Sequence, residues 1–139
     1  MTDSEFIEWL KKEEGVIPYA YQDHLGFWTI GAGRLIDKRR GGGLSMDEID
    51  YLLRNDVNRF VAGLEKALPW WSELSGNRKA ALTAMAFQMG LKNLLSFKKT
   101  LGLMKEKKYA AAAEQMLTSL WAKQTPERAK RTAELIRNG

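Results

Sequence analysis

The 139-residue chain has no cysteine and a single histidine, His24. Without thiols there is no disulfide framework and no thiolate metal site, and one imidazole cannot build a zinc cluster. No metal and no cofactor are therefore expected. A cysteine-free chain also suits synthesis in a reducing cytoplasm. No apolar run approaches the ~20 residues needed to span a bilayer, so stable membrane insertion is not expected. The opening residues, Met-Thr-Asp-Ser-Glu-Phe, are acidic where a secretory leader is basic and then apolar. A protein made this way, if its substrate lies beyond the plasma membrane, needs another route out. Internal repeats and low-complexity tracts are also missing.

What is present fits one domain able to bury a core without staples. Hydrophobic residues make up 45% and charged residues 28%, the balance of an ordinary globular chain. The formal net charge is +5. Such an excess favours a polyanionic partner: nucleic acid, an anionic membrane, or a bacterial wall with its peptide-stem carboxylates. Charge alone does not choose among them.

A first helix is expected from a cap at Thr2, Asp3 or Ser4, with Phe6, Ile7 and Leu10 facing the core, ending at Gly15 and Pro18. Residues 19–36 change texture. Tyr19-Ala-Tyr21 and Phe27-Trp-Thr-Ile30, separated by Asp23-His-Leu-Gly26, predict a β-hairpin with a turn of about four residues. Residues 37–43 form a charged, glycine-rich connector expected to be mobile. Ser45 and Glu48 make a capping box. Behind them Ile49, Leu52, Leu53, Val57, Phe60, Val61, Leu64 and Leu68 form one apolar stripe, stopped by Pro69. Further helices are expected over 77–89, 91–104, 107–123 and 127–138, the last led by Thr125-Pro126 as cap and first turn. Gly102 marks either a break or a close contact. The outline is α+β but mostly α: a small β-hairpin lobe (15–44) set between helix one (1–14) and a larger helical lobe (45–139), within one domain over 1–139.

Hydrolysis of a glycosidic bond needs two carboxyl roles around one linkage, a protonated acid and a group that stays ionised. A helix C-terminus suits the acid, because the negative end of the dipole disfavours the ionised form there. Glu14 stands at that position, just before Gly15. Asp23 lies at the tip of the first expected strand and Thr29 on the returning one, so a hairpin brings both to one rim. By spacing alone this is only suggestive, since most of the 17 Asp and Glu residues serve solubility.

The wider string is more specific. Glu13-Glu14-Gly15, Tyr19-Ala-Tyr21-Gln-Asp23 and Gly26-Phe-Trp-Thr29-Ile-Gly31-Ala-Gly33 resemble the active-site signature of phage lysozymes of the T-even kind, glycoside hydrolase family 24. The similarity continues through Asp47-Glu48, Asn55-Asp56-Val57, Ala86-Phe-Gln-Met-Gly90, Tyr109-Ala-Ala-Ala-Ala, Trp121 and Gln124-Thr-Pro-Glu-Arg-Ala-Lys-Arg131. It covers nearly the whole chain, in order. The resemblance implies a lysozyme-like fold with an active-site cleft between the lobes, and hydrolysis of the β-1,4 bond between N-acetylmuramic acid and N-acetylglucosamine with inversion. Glu14 is then the general acid, Asp23 stabilises the oxocarbenium-like transition state and helps position the attacking water, and Thr29 holds that water on the other face of the sugar.

Other family positions carry over as Leu35, Phe87, Thr100 and Gln115, implied to line the saccharide cleft. For Leu35 and Phe87 the alternative is ordinary packing. Arg128 matches an arginine that pairs with the catalytic Glu and orients it; otherwise it is a solvated cation. Where the family often has a histidine paired to an aspartate, this chain has Arg34, with Asp56 at the matching place, and an Arg34–Asp56 salt bridge is expected. The connector after Leu35 is shorter than in the best-known members, which implies a reduced small lobe. Implied partners are peptidoglycan glycan strands, with no nucleic acid, acting as a monomer. The implied setting is synthesis in a host cytoplasm and release to the wall through a separate pore-forming holin.

Two rival functions are weighed beside this. One is an inactive peptidoglycan-binding or protein-docking module of the same fold. The other is a basic helical nucleic-acid binder, which lacks any recognition-helix signature or aromatic–basic interleaving. His24 is either a tuner of Asp23 or an exposed turn residue. Trp70-Trp71 is expected to cap the helical core rather than stack on sugar, and Trp121 to lie in the core. Lys38-Arg-Arg40 and the lysines of 105–108 are basic clusters suited to a polyanionic wall, or solvated faces.

Overall fold

The computed structural model describes residues 1–38 and 41–139. Arg39 and Arg40 of the first basic cluster lie outside the described residues. The chain divides into two compact units, Met1–Tyr51 and Leu52–Gly139.

The first unit opens with helix α1 (Asp3–Glu14), capped at Thr2 by a capping box: the Thr2 side chain accepts from the Glu5 amide and Glu5 reaches back. Gly15, at φ 76°, ends it with its N–H on the Lys11 carbonyl. Only glycine turns the chain there without strain. The expectation that Phe6, Ile7 and Leu10 face a core fails for the first two: Phe6 and Ile7 are about half exposed, Leu10 is half-buried, and α1 contributes no fully buried residue. Phe6 instead stacks on Trp9, ring centroids 5.9 Å apart.

Three antiparallel strands follow, β1 (Ile17–Gln22), β2 (Trp28–Gly31) and β3 (Arg34–Leu35), in the order β1-β2-β3. The hairpin is as expected, with Tyr21 opposite Thr29, and β3 adds a short third strand pairing Leu35 with Thr29. Pro18 sits within β1, which is tolerated because β1 is an edge strand and its register with β2 is irregular between Ile17 and Tyr21. The turn is built on Asp23, whose Oδ1 accepts the amides of Leu25 and Phe27 at 2.9 Å each.

Helix α2 (Met46–Ala67) begins on the expected capping box, Ser45 with Glu48. Its apolar stripe is buried only towards the C-terminal end. Leu64 and Leu68 are buried, whereas Ile49, Leu52 and Leu53 are 40–47% exposed.

The second unit holds the whole hydrophobic core. It comprises the rest of α2, a 3₁₀ turn (Trp71–Glu73), α3 (Gly76–Met89), α4 (Leu91–Leu95), α5 (Lys98–Lys105), α6 (Tyr109–Met116), α7 (Leu120–Gln124) and α8 (Pro126–Asn138). Two expected helices are each split in two. The span over 91–104 breaks at Ser96, whose hydroxyl donates to the Asn93 carbonyl at 2.5 Å. The span over 107–123 breaks where Thr118 and Ser119 donate to the Gln115 and Met116 carbonyls, both at 2.7 Å. Such hydroxyls compete with the helix for its own backbone. Ser119 then caps α7 through the Ala122 amide.

Trp71 and Trp121 are buried in the core, and the Trp121 indole donates to Gln88 at 2.9 Å. Gly102 is neither a break nor a close contact: α5 runs through it, and a Cβ there meets nothing within 4 Å. Thr125 precedes α8 as expected, but its hydroxyl donates back to the Trp121 carbonyl rather than capping.

Candidate active site

In the first unit a cavity of about 450 Å³ is lined by Glu14, Tyr21, Gln22, Asp23, His24, Thr29, Gly33 and Leu35. Three separate local structures place its polar groups. The end of α1 delivers Glu14, the β1–β2 turn delivers Asp23, and β2 delivers Thr29. Residues nine and six positions apart thus meet on one rim because the chain reverses twice between them.

Each group is held differently. Glu14 is exposed, with its carboxylate against the backbone of Gly33: a Cβ added there would lie 3.0 Å from Oε2. Gly33 also has φ 77°, so both its space and its conformation require glycine. Asp23 is clamped by the two turn amides. A carboxylate that accepts amide protons is favoured in its ionised form. Thr29 is 2% exposed, and it is the one buried residue of the first unit among the described residues. Its hydroxyl donates to the Phe27 carbonyl at 3.0 Å, which leaves its oxygen lone pairs as acceptors. His24 is an exposed turn residue on the same cavity. Tyr21, Gln22 and Gly33 stood in the signature without a role of their own; for Gly33 the signal was the second glycine of Gly31-Ala-Gly33.

Leu35 joins this cavity, whereas the other expected contributors lie in the second unit. Phe87, 43% exposed, and Arg128 line an apolar cavity of about 600 Å³ there, with Phe87 edge-on to Phe60 at 5.7 Å. Thr100 and Gln115 line a third, polar cavity of about 330 Å³ with Lys98, Lys99 and Thr118.

The expected Arg34–Asp56 salt bridge is corrected. Arg34 pairs with Glu48 at 2.8 Å and donates to the Gly43 carbonyl at 3.2 Å, while Asp56 pairs with Arg59 on its own helix. Glu48 stands in the first turn of α2, beside Arg34. Asp56 is eight residues on, roughly 12 Å further along the axis. The Arg34 hydrogen bond, and then the Ser45 backbone and side chain, pull the Glu48 carboxyl down to about 2.

Comparison with known proteins bears on the whole chain. The sequence pattern of the Phage lysozyme family matches residues 11–137. "Probable T4-type lysozyme 1" and "Probable T4-type lysozyme 2" of Dictyostelium discoideum are 33% and 32% identical, each alignment covering 94% of this chain and 92% of the relative. The "Pre-baseplate central spike protein Gp5" of Enterobacteria phage T4 is 29% identical over 95% of this chain, which spans 27% of that protein. With a mostly helical fold, a small N-terminal three-stranded sheet and a match across nearly its full length, the chain belongs to the phage lysozyme family.

Proposed function

We propose that the protein is a muramidase that cleaves the β-1,4 bond between N-acetylmuramic acid and N-acetylglucosamine in bacterial peptidoglycan, for lysis of a host cell. The observation that carries this is the common cavity of Glu14, Asp23 and Thr29. Glu14 gives its proton to the leaving glycosidic oxygen as the bond to the anomeric carbon breaks. Asp23, ionised and fixed by its turn, faces the positive charge that develops on the sugar. The Thr29 oxygen accepts a hydrogen bond from a water on the opposite face of the ring, and that water attacks with inversion. The proton lost by the water passes to Asp23, and Glu14 is reprotonated for the next cycle.

The enzyme acts as a monomer, on the wall, after release through a separate membrane pore. No helix among the described residues is long and apolar enough to cross a membrane.

Clearing of chloroform-treated Gram-negative cells tests the reading. Wild type clears them, Glu14→Gln loses clearing by at least ~10³-fold, and Asp23→Ala loses most of it. Equal clearing by wild type and Glu14→Gln would refute the assignment of the acid. Binding of the wild-type protein to purified wall without any release of saccharides would instead favour a docking module of the same fold.

A further inference from the structure

The backbone that Glu14 lies against has little rigidity of its own. Strand β3 is two residues long, and the turn into it, Gly31-Ala-Gly33, carries two glycines at positive φ, 71° and 77°. Glycine loses the most conformational freedom on folding, so such a segment must be held by its contacts. Gly33 nonetheless meets the Glu14 carboxylate, and Leu35 lines the same cavity.

Arg34 stands between these two residues and is fastened from outside the sheet. Its Nη1 donates to Glu48 Oε1 at 2.9 Å, lies 2.8 Å from Oε2, and donates to the Gly43 carbonyl at 3.2 Å. Gly43 returns a bond, its amide donating to the Leu35 carbonyl at 3.0 Å. The connector is thus tied through both backbone groups of Gly43 to consecutive residues of β3. Glu48 is itself fixed by the capping box: it accepts the Ser45 amide at 2.8 Å, and its own amide donates to the Ser45 hydroxyl at 3.2 Å. One carboxylate in the first turn of α2 therefore joins helix, connector and β3.

Stability does not account for that charge. The Arg34 and Glu48 side chains are 49% and 36% exposed, and exposed ion pairs contribute little to folding. The cap needs no charge either, since Gln serves at this position as Glu does. What the carboxylate adds is a fixed place for Arg34, and with it for Gly33 and Leu35 on either side.

We propose that Glu48 is a positioning residue for glycan cleavage: through Arg34 and Gly43 it fixes β3, and β3 holds Gly33 against the Glu14 carboxylate. This deepens the muramidase reading and rests on it. Glu48 acts from outside the cavity that Glu14, Asp23 and Thr29 line.

Glu48→Gln tests it, because the variant keeps the cap and loses the charge. Asp56→Asn is its control: it also removes one carboxylate from α2, raises the net charge by one and breaks an ion pair, that with Arg59. Any effect of charge on binding an anionic wall is then common to both. On purified peptidoglycan, Glu48→Gln should lose about 5–10-fold in kcat with KM unchanged, while Asp56→Asn keeps the wild-type kcat. Arg34→Gln cuts the same tie from its other end and should lose kcat to the same extent. Thermal midpoints of all three should stay within about 3 °C of wild type. Combined with Gly33→Ala, Glu48→Gln should add little further loss, since both act on one contact. Wild-type kcat in Glu48→Gln, a rise in KM in place of the fall in kcat, or fully additive losses with Gly33→Ala would each overturn the proposal. Absence of cleavage by the wild-type protein would sink the muramidase reading instead. The tie is then read without substrate, by NMR. The Gly33 amide and the Glu14 carboxyl carbon should shift in Glu48→Gln and not in Asp56→Asn, and unmoved signals in Glu48→Gln would show that β3 is held by other contacts.

Discussion

The contact between Glu14 and Gly33 sets up a sharp test of how the candidate acid is held. Replacing Gly33 by Ala does two things. It forces an L side chain into φ 77°, and it places a methyl group 3.0 Å from the Glu14 carboxylate oxygen. The first costs about 1–2 kcal/mol of stability. The second requires the carboxylate to move by a few tenths of an ångström. Misplacement by 1 Å can cost ~10²-fold in rate, so a shift of this size should cost roughly tenfold in kcat. Gly31→Ala separates the two effects. Gly31 also has a positive φ, 71°, but a Cβ there meets nothing within 4 Å. Both variants should lose similar stability in thermal denaturation, while only Gly33→Ala should lose the extra rate in glycan cleavage. If the two retain equal kcat, the Gly33 backbone is not what positions Glu14, and the carboxylate is held by some other contact.

Three further outcomes are expected. The Glu48 carboxyl, held at about 2 against an ordinary 4.5, stabilises the fold above pH 4.5, and that contribution is lost as pH falls from 4.5 through about 2. Carboxyl NMR titration should show it, and the acid dependence should weaken in Glu48→Gln but persist in Asp56→Asn; a Glu48 midpoint near 4.5 would contradict the Arg34–Glu48 pair. Gly102→Ala, in an exposed helical position with open space around it, should raise stability by about 0.5–1 kcal/mol in denaturant unfolding. Arg78 donates to the last carbonyls of α8, Ile136 at 2.7 Å and Arg137 at 3.2 Å, with its guanidinium 3.5 Å over the Tyr109 ring. Arg78→Met should therefore cost roughly 2–3 kcal/mol, and a loss below about 0.5 kcal/mol would show that water replaces it.

Local structure was legible in the sequence wherever one residue's chemistry suffices. Ser45 with Glu48 announced the start of α2, Gly15 the end of α1, and the Asp23 turn between two β-branched and aromatic runs announced the hairpin. Glu14, Asp23 and Thr29 were selected by motif, and they line one cavity because those same local signals bend the chain around them. The breaks at Ser96 and at Thr118–Ser119 were also encoded, but helical apolar spacing runs straight through both, and a hydroxyl interrupts a helix only when its rotamer turns back to the preceding carbonyl.

Tertiary structure alone decided the rest. Periodicity shows that Phe6, Ile7, Ile49 and Leu52 share apolar helix faces, yet burial depends on what packs there, and the core closes around the second unit instead. A sequence shows that Arg34 needs an anion but cannot rank two candidates eight residues apart. The distance along α2 ranks them, and it favours Glu48. The amino-acid string thus determined which elements form and which side chains carry the chemistry. Three-dimensional packing determined which apolar faces leave water and which charges meet, because both depend on distances between residues that the order of the chain does not set.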